Sequence, residues 1–237
     1  MTENRRSRWW RLGVALSVAF TMTSACAARN VKIDHDSLSS LKEGPPLKLA
    51  RHEPPGFVLS DPPQSKARSI FGVSGGTLTL PGRSSTAAPM EDEFALDDPA
   101  NALGDKVFEA VAFELGVRRE ETGRLVLPDD GLESVTHAAG SEGWVLDITT
   151  LRWGLASDPK YWMRYHVQLE ASGRLIDLSR ERVAWEARCD GSEKESSKGA
   201  LLAELTATDG AQLRERLGAA VERCADELVS HLFANVR

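Results

Sequence analysis

The stretch WVLDITTLRWGL, Trp144–Leu155, decides the fold class because it is rich in the β-branched and aromatic residues that favour strands. After the turn-forming ASDPK, the residues from Tyr161 to Ala171 alternate between apolar and polar types. A period of two predicts a second strand with one buried face. The residues expected on that face are Tyr161, Met163, Tyr165, Val167 and Leu169.

A third strand is predicted from Arg182 to Cys189, with Val183, Trp185, Ala187 and Cys189 on one face. Trp153 and Trp185 are expected in the core. The turn before this strand has two possible positions. It lies either at Ser172-Gly173 or, after a bulge there, at Ser179–Arg182.

Two amphipathic helices frame these strands. The first is predicted after Asp97 and Asp98, which are candidate N-caps, and ends at Gly116. The second is predicted after Asp209, with a short helical piece before it at 199–205. Its residues at spacings of three and four form one apolar stripe. The stripe comprises Leu213, Leu217, Ala220, Val221, Cys224, Leu228 and Leu232.

The order of these elements predicts an α+β domain over residues 97–237. It has two layers, with an antiparallel sheet of about three to five strands and two main helices packed on one face. One of the additional strands is expected at 124–128. A short helix at most is expected in the polar stretch that follows it.

Residues 26–96 differ in composition, because eight of the eleven prolines lie between positions 27 and 95. Three are doublets, which favour extended polyproline conformation. One interpretation is a proline-rich tether or linker that lifts the domain off a membrane. The other is that LKLARHEPPGFVLS, residues 47–60, docks as a strand on the domain or on a partner.

The N-terminus is typical of a signal peptide over residues 1–25. A basic segment with a net charge of +3 precedes an apolar stretch of fourteen residues, Leu12–Ala25. The following TSAC resembles the lipobox of bacterial lipoproteins, in which the cysteine becomes the lipidated first residue. Cys26 would then carry the lipid, although Thr23 departs from the aliphatic residue usual at that position. Alternatively, Ala25-Cys26-Ala27 is a small-x-small site for ordinary signal peptidase, giving a soluble periplasmic protein.

Two of the three cysteines are left for pairing under either cleavage. Cys189 lies on the apolar side of its strand and Cys224 lies in the apolar stripe of the last helix. Export to an oxidising compartment favours a disulfide between them. The sequence therefore predicts that Cys189–Cys224 fastens the last helix across the sheet.

The domain loosely resembles the accessory lipoproteins of lipid and envelope transport systems. The similar elements are WVLDITTLRW, then RLIDLSRERVAWEARC, then the closing helix. The resemblance implies a membrane-anchored protein facing the periplasm, with the outer membrane expected, that binds an envelope partner and is not an enzyme. Trp162, on the polar face of its strand, is the candidate partner-binding residue; alternatively, another element such as the segment 47–59 covers it.

Composition and motifs argue against several other functions. The chain without its first eleven residues has a formal net charge of −9, which is unfavourable for binding nucleic acid. GVSGG, Gly72–Gly76, matches the nucleophile elbow of serine hydrolases, but TLTLPG follows it where a helix is needed. The five histidines are scattered, so we expect no metal site, and no phosphate or dinucleotide motif indicates a cofactor.

Overall fold

The computed structural model of the protein describes residues 30–60, 85–86, 88–158, 160–161, 163–194 and 198–234. Its helices are α1 (His35–Glu43), α2 (Ala88–Glu93), α3 (Pro99–Leu115), α4 (Leu132–Ala139) and α5 (Leu202–Phe233). Its strands are β1 (Leu47–Arg51), β2 (Val58–Leu59), β3 (Ser85–Thr86), β4 (Arg119–Val126), β5 (Trp144–Ser157), β6 (Arg164–Asp177), β7 (Arg182–Asp190) and β8 (Ala200–Leu201). The α+β class predicted from the sequence is confirmed.

Within these described residues, eight strands form one open sheet. The neighbours run β3-β2-β5-β1-β4, and β6 pairs with β5, β7 and β8. The predicted number of three to five strands is therefore too low. The three central predicted strands are present and antiparallel, but β1 runs parallel to both β4 and β5, so the sheet is mixed.

The tether expected over residues 26–96 is wrong for residues 30–60, which belong to the fold. β1 lies between β4 and β5, with Leu47 and Leu49 buried. The proline-rich segment after β1 is held by Trp153, whose Nε1 donates a hydrogen bond to the carbonyl of Pro55 at 2.6 Å. The ring of Phe57 packs edge-on against the same indole, with the two ring centroids 5.2 Å apart. The alternative of a docked strand describes this segment, and its prolines lie in the connection because proline cannot donate to a strand ladder.

The turn between β6 and β7 lies after Asp177, so Ser172-Gly173 is inside a strand. A 3₁₀ turn, Leu178–Arg180, joins the two strands, as the second of the two alternatives proposed. Close packing explains why residue 173 is a glycine. A Cβ there would lie 2.9 Å from the Trp185 ring and 3.0 Å from Ile148, so only glycine lets the indole cross the strand at this point.

The two long helices cover one face of the sheet, as predicted. α3 is capped by the Asp98 side chain, which accepts from the backbone N–H of Ala100, and ends at Gly116 in the left-handed region. α5 is interrupted at residues 207–210, where the backbone is not helical, and continues with its apolar stripe buried. Together with the facing side of β5, β6 and β7, these helices enclose the main core, including Trp153 and Trp185.

The opposite face of the sheet is also partly covered, so two layers do not describe the whole domain. Val135 and Ala139 of α4 pack against Val145 of β5 and Ile176 of β6. The side chains of Val145 and Ile176 alternate along their strands with core residues of the first face. The polar stretch that holds α4 therefore supplies a small second core.

The predicted disulfide between Cys189 of β7 and Cys224 of α5 is present. Their Cα atoms are 5.1 Å apart and both residues are buried. The bond closes a loop across 35 positions of sequence and attaches α5 to the sheet at β7.

Candidate functional site

Some predicted site residues lie outside the described residues. These are the signal peptide over 1–25, the lipidation candidate Cys26, the GVSGG serine Ser74 and the partner-binding candidate Trp162. They remain predictions. The surfaces available for function are therefore identified from side chains elsewhere in the domain.

The tip of the β5–β6 hairpin is exposed, which corrects the expectation for Tyr161 and Met163. Their exposed fractions are 55% and 71%. The strand begins only at Arg164, and Met163 has a left-handed φ of 69°, so the alternation does not extend to these two residues. Asp158 holds the turn by accepting hydrogen bonds from the backbone N–H groups of Lys160 and Tyr161 at 2.7 and 3.0 Å.

His166 is buried although the alternation predicts it on the polar face. Its Nε2 lies 3.0 Å from Asp158 Oδ2, and its Nδ1 lies 3.7 Å from Glu193 Oε2. Glu193 also pairs with Arg216 of α5 at 3.0 Å. These contacts connect the hairpin tip to the segment after β7 and to α5, a role that needs no substrate.

A second buried charged cluster comprises His52, Asp147 and Arg174. Asp147 lies on β5 with 1% of its surface exposed. Its Oδ1 is 2.6 Å from Nε2 of His52, and its Oδ2 accepts from Nε of Arg174 at 3.0 Å. Both carboxylate oxygens of Asp147 have cationic or polar partners. These partners compensate the negative charge of Asp147, which would otherwise be costly to bury.

The pKa values in this cluster shift in the directions expected for ion pairing. The hydrogen bond to Asp147 raises the pKa of His52 above its ordinary value of 6.5, despite burial. Burial alone would raise the pKa of Asp147, but the His52 hydrogen bond and the Arg174 charge outweigh it and lower that pKa. The cluster thus favours a protonated His52 beside an ionised Asp147.

A groove lies between α3 and α5 on the helical side of the domain. The helices run in the same direction, since Lys106 pairs with Glu222 at 2.6 Å and Phe113 lines the groove with Val229. The cavity has a volume of about 420 Å³. Phe113 projects into solvent with 87% of its surface exposed.

Acidic side chains line this groove beside its apolar ones. Glu114 and Asp226 lie next to Phe113, Val229 and Phe233. α3 contains three acidic residues against one basic residue, and α5 contains six against three. The groove, which we call the α3–α5 groove, therefore combines an apolar surface with a negative surrounding potential, which suits a basic amphipathic partner segment.

Sequence reasoning missed this groove, although a signal was present. Phe113 is a large apolar residue two positions after Val111 of the buried stripe, so it points to the other side of the helix. One exposed aromatic is ordinary in itself, but an exposed aromatic next to other apolar side chains is typical of a contact surface. Its groove partners on α5 are more than 100 residues further along the chain and have no sequence signal linking them to it.

Two further findings concern the part of the chain that the structure describes. No group of three or more His, Cys, Asp or Glu side chains there is arranged to hold a metal ion. None of the helices in those residues has the length and apolar character needed to cross a membrane.

No family model matches the sequence, and no curated protein matches it. Among solved structures, a PelC dodecamer from Paraburkholderia phytofirmans is similar at 12% identity, with 86% of this chain and 96% of that chain covered and a TM-score of 0.37. A Xanthomonas campestris protein described with the family model DUF330 is similar at 14% identity, with 81% and 86% covered and a TM-score of 0.38. A lipoprotein from Neisseria meningitidis is similar at 19% identity, with 72% and 99% covered and a TM-score of 0.24. All three TM-scores are below 0.5, so these likenesses carry no argument about this chain.

Proposed function

We propose that this chain is a lipid-anchored protein of the bacterial cell envelope that faces the periplasm and works by binding a partner. The observation that supports a lipid anchor is the sequence TSAC, residues 23–26, at the end of the apolar stretch of fourteen residues. The disulfide adds support. Because Cys189 and Cys224 are bonded to each other, the fold makes no demand on Cys26.

The binding role is supported by the α3–α5 groove. Phe113 is a preformed aromatic anchor, and aromatic residues of this kind supply much of the energy of protein interfaces. The acidic residues around it favour a partner segment with basic and apolar side chains on one helix face. Such a groove selects a protein segment and performs no bond chemistry.

The two histidine–carboxylate pairs support a non-catalytic role as well. His52 and His166 are 8% and 5% exposed, so their imidazoles have little surface at which a substrate could meet them. Both are engaged with buried carboxylates that hold neighbouring segments of the fold together.

Labelling of cells with a palmitate analogue tests the anchor. The wild-type protein should carry the label and stay with the membrane fraction. Cys26→Ser should lose the label, and Cys189→Ser should retain it, because only Cys26 is expected to carry lipid. Label retained by Cys26→Ser would contradict the assignment.

Photo-crosslinking in membranes tests the groove. A photoreactive amino acid at Phe113 should give a discrete adduct, whereas the same residue at Val126, which is 75% exposed on β4, should not. The adduct should weaken when Asp226→Lys reverses the charge in the groove. Equal adducts at both positions, or labelling of Ser74 by a serine-reactive phosphonate, would argue against this binding role.

The second candidate is a soluble periplasmic protein with a ligand-binding role. The observation that favours it is the small-x-small pattern Ala25-Cys26-Ala27. That cleavage predicts an unmodified mature chain that begins at Ala28 and is released with the periplasmic fraction.

A further inference from the structure

The fold begins very close to the residue proposed to carry the lipid. Val31 exchanges two backbone hydrogen bonds with Glu186 of β7, at 2.9 and 3.0 Å. Five residue steps separate Cys26 from Val31, and a fully extended chain covers at most about 3.6 Å per step. The Cα of Val31 therefore lies within about 18 Å of the Cα of Cys26, whatever course those residues take.

β7 is also the outermost strand on its side of the sheet. Among the described residues, β7 pairs with β6 on one side. On its other side, Val31 forms an isolated bridge with Glu186, and the Arg182 side chain contacts Asp34 and Ser37. Arg188 of this strand is exposed. Because Arg188 alternates with buried Ala187 and Cys189, it lies on the sheet face away from the helices, where β7 can approach a planar surface without any rearrangement of the core.

The β7 edge and the helical side of the domain differ in formal charge. β7 contains two arginines and two acidic residues, so its formal charge is zero. α3 and α5 have formal charges of −2 and −3. Bacterial membranes present anionic headgroups, which repel the helical side more strongly than the β7 edge.

We propose that the β7 edge faces the bilayer that holds the lipid, with no stalk between the anchor and the domain. This orientation rests on the proposed lipidation of Cys26. Arg174, which lies level with Glu186, is ten residues from Arg164 along β6, a distance of about 33 Å. That distance exceeds the distance of about 18 Å that can separate Cys26 from Val31. A lipid on Cys26 therefore cannot hold the tip of the β5–β6 hairpin against the membrane. The tip residues Tyr161 and Met163 and the α3–α5 groove are left for protein contacts.

Fluorescence quenching by lipid tests the orientation. The mature lipidated protein is reconstituted in vesicles of phosphatidylethanolamine and phosphatidylglycerol that contain a headgroup-labelled quencher lipid. A fluorescent amino acid replaces exposed Arg188 of β7 or, as the matched control, exposed Glu109 of α3. Quenching at Arg188 should exceed quenching at Glu109 several-fold. Equal quenching, or stronger quenching at Glu109, would overturn the orientation.

A longer anchor provides the second arm. An insertion of about twelve Gly and Ser residues after Ala28 adds a flexible segment with an end-to-end distance of about 19 Å. Quenching at Arg188 should then fall towards the Glu109 value, because the edge is no longer held near the surface. Unchanged quenching would show that the short connection does not set the orientation.

The outcomes separate the orientation from the proposed function. A protein that lacks lipid on Cys26 and does not float with the vesicles overturns the anchor and the orientation together. A lipidated, vesicle-bound protein that is quenched at Glu109 as strongly as at Arg188 overturns the orientation alone.

Discussion

Asp147 is an ionised carboxylate with almost no exposure to water, and it depends on two cationic partners. Its oxygens contact His52 and Arg174, which come from the segment after β1 and from β6. A buried ion pair adds little over an apolar replacement, but removing one partner leaves the other charges uncompensated. At the residue scale, this cluster therefore holds the segment after β1 against the sheet.

Asp147→Asn should lower the free energy of unfolding by about 3 kcal/mol, because Arg174 loses its counter-charge while His52 can release its proton. Urea denaturation at neutral pH measures this loss. The control is Glu170→Gln, which removes an exposed ion pair with Arg152 and should cost less than about 1 kcal/mol. Equal losses of unfolding free energy in the two variants would contradict the claim that burial makes the Asp147 ion pairs important for stability.

The contribution of His52 to stability should depend on pH. Its pKa in the folded protein is raised by Asp147, with Arg174 opposing and Asp130 adding to the shift. A raised folded pKa means that the stabilisation is complete below the ordinary value of 6.5 and is lost as the pH rises through the folded value. The difference in unfolding free energy between wild type and His52→Gln should therefore shrink as the pH is raised from below 6.5 into the alkaline range. Denaturation curves across this range measure it, and a difference that grows with pH would contradict the pairing.

At the scale of elements, β7 and α5 are joined by a covalent bond as well as by packing. Cys189→Ser and Cys224→Ser should each lower the free energy of unfolding by about 3–4 kcal/mol, because either loses the constraint on a loop of about 35 residues. The double variant should be destabilised little further. Denaturation under non-reducing conditions measures the three losses, and additive losses would be inconsistent with one shared bond.

Gly154 allows β2 to pair with β5, and its substitution should disrupt that pairing. Its φ is 153°, and a Cβ there would overlap the carbonyl of Val58. Gly154→Ala should lower the free energy of unfolding by about 1–3 kcal/mol and speed proteolysis next to Val58. Gly218→Ala is the matched control. It adds a Cβ to open space on α5 and should raise stability by about 0.5–1 kcal/mol. Similar changes in the free energy of unfolding at both positions would contradict the close approach of Val58 to Gly154.

The elements predicted correctly from sequence are those with strong local patterns. The helix after Asp98, the stripe of α5 and the β5–β6–β7 order follow from periodicity and caps, which neighbouring residues determine. β1 was not predicted as a central strand because its pairing depends on partners about 70 and 100 residues away, at Arg119 and Trp144. The two buried histidine clusters were missed for the same reason, since each joins residues from separate elements.

At the scale of the whole molecule, the proposal gives the anchor, the β7 edge and the α3–α5 groove different roles. In the proposed orientation, the short connection from Cys26 holds the β7 side near the membrane, while the acidic helical side carries exposed Phe113. This arrangement is what a membrane-held binding protein needs, because the anchored side and the recognition side do not compete. The anchor and the orientation both depend on lipid at Cys26.

Mass spectrometry of the N-terminal peptide from the membrane fraction tests that dependence most directly. We predict a mature chain that begins at Cys26 and has the added mass of an attached lipid. An unmodified chain that begins at Ala28 would contradict both the anchor and the orientation derived from it.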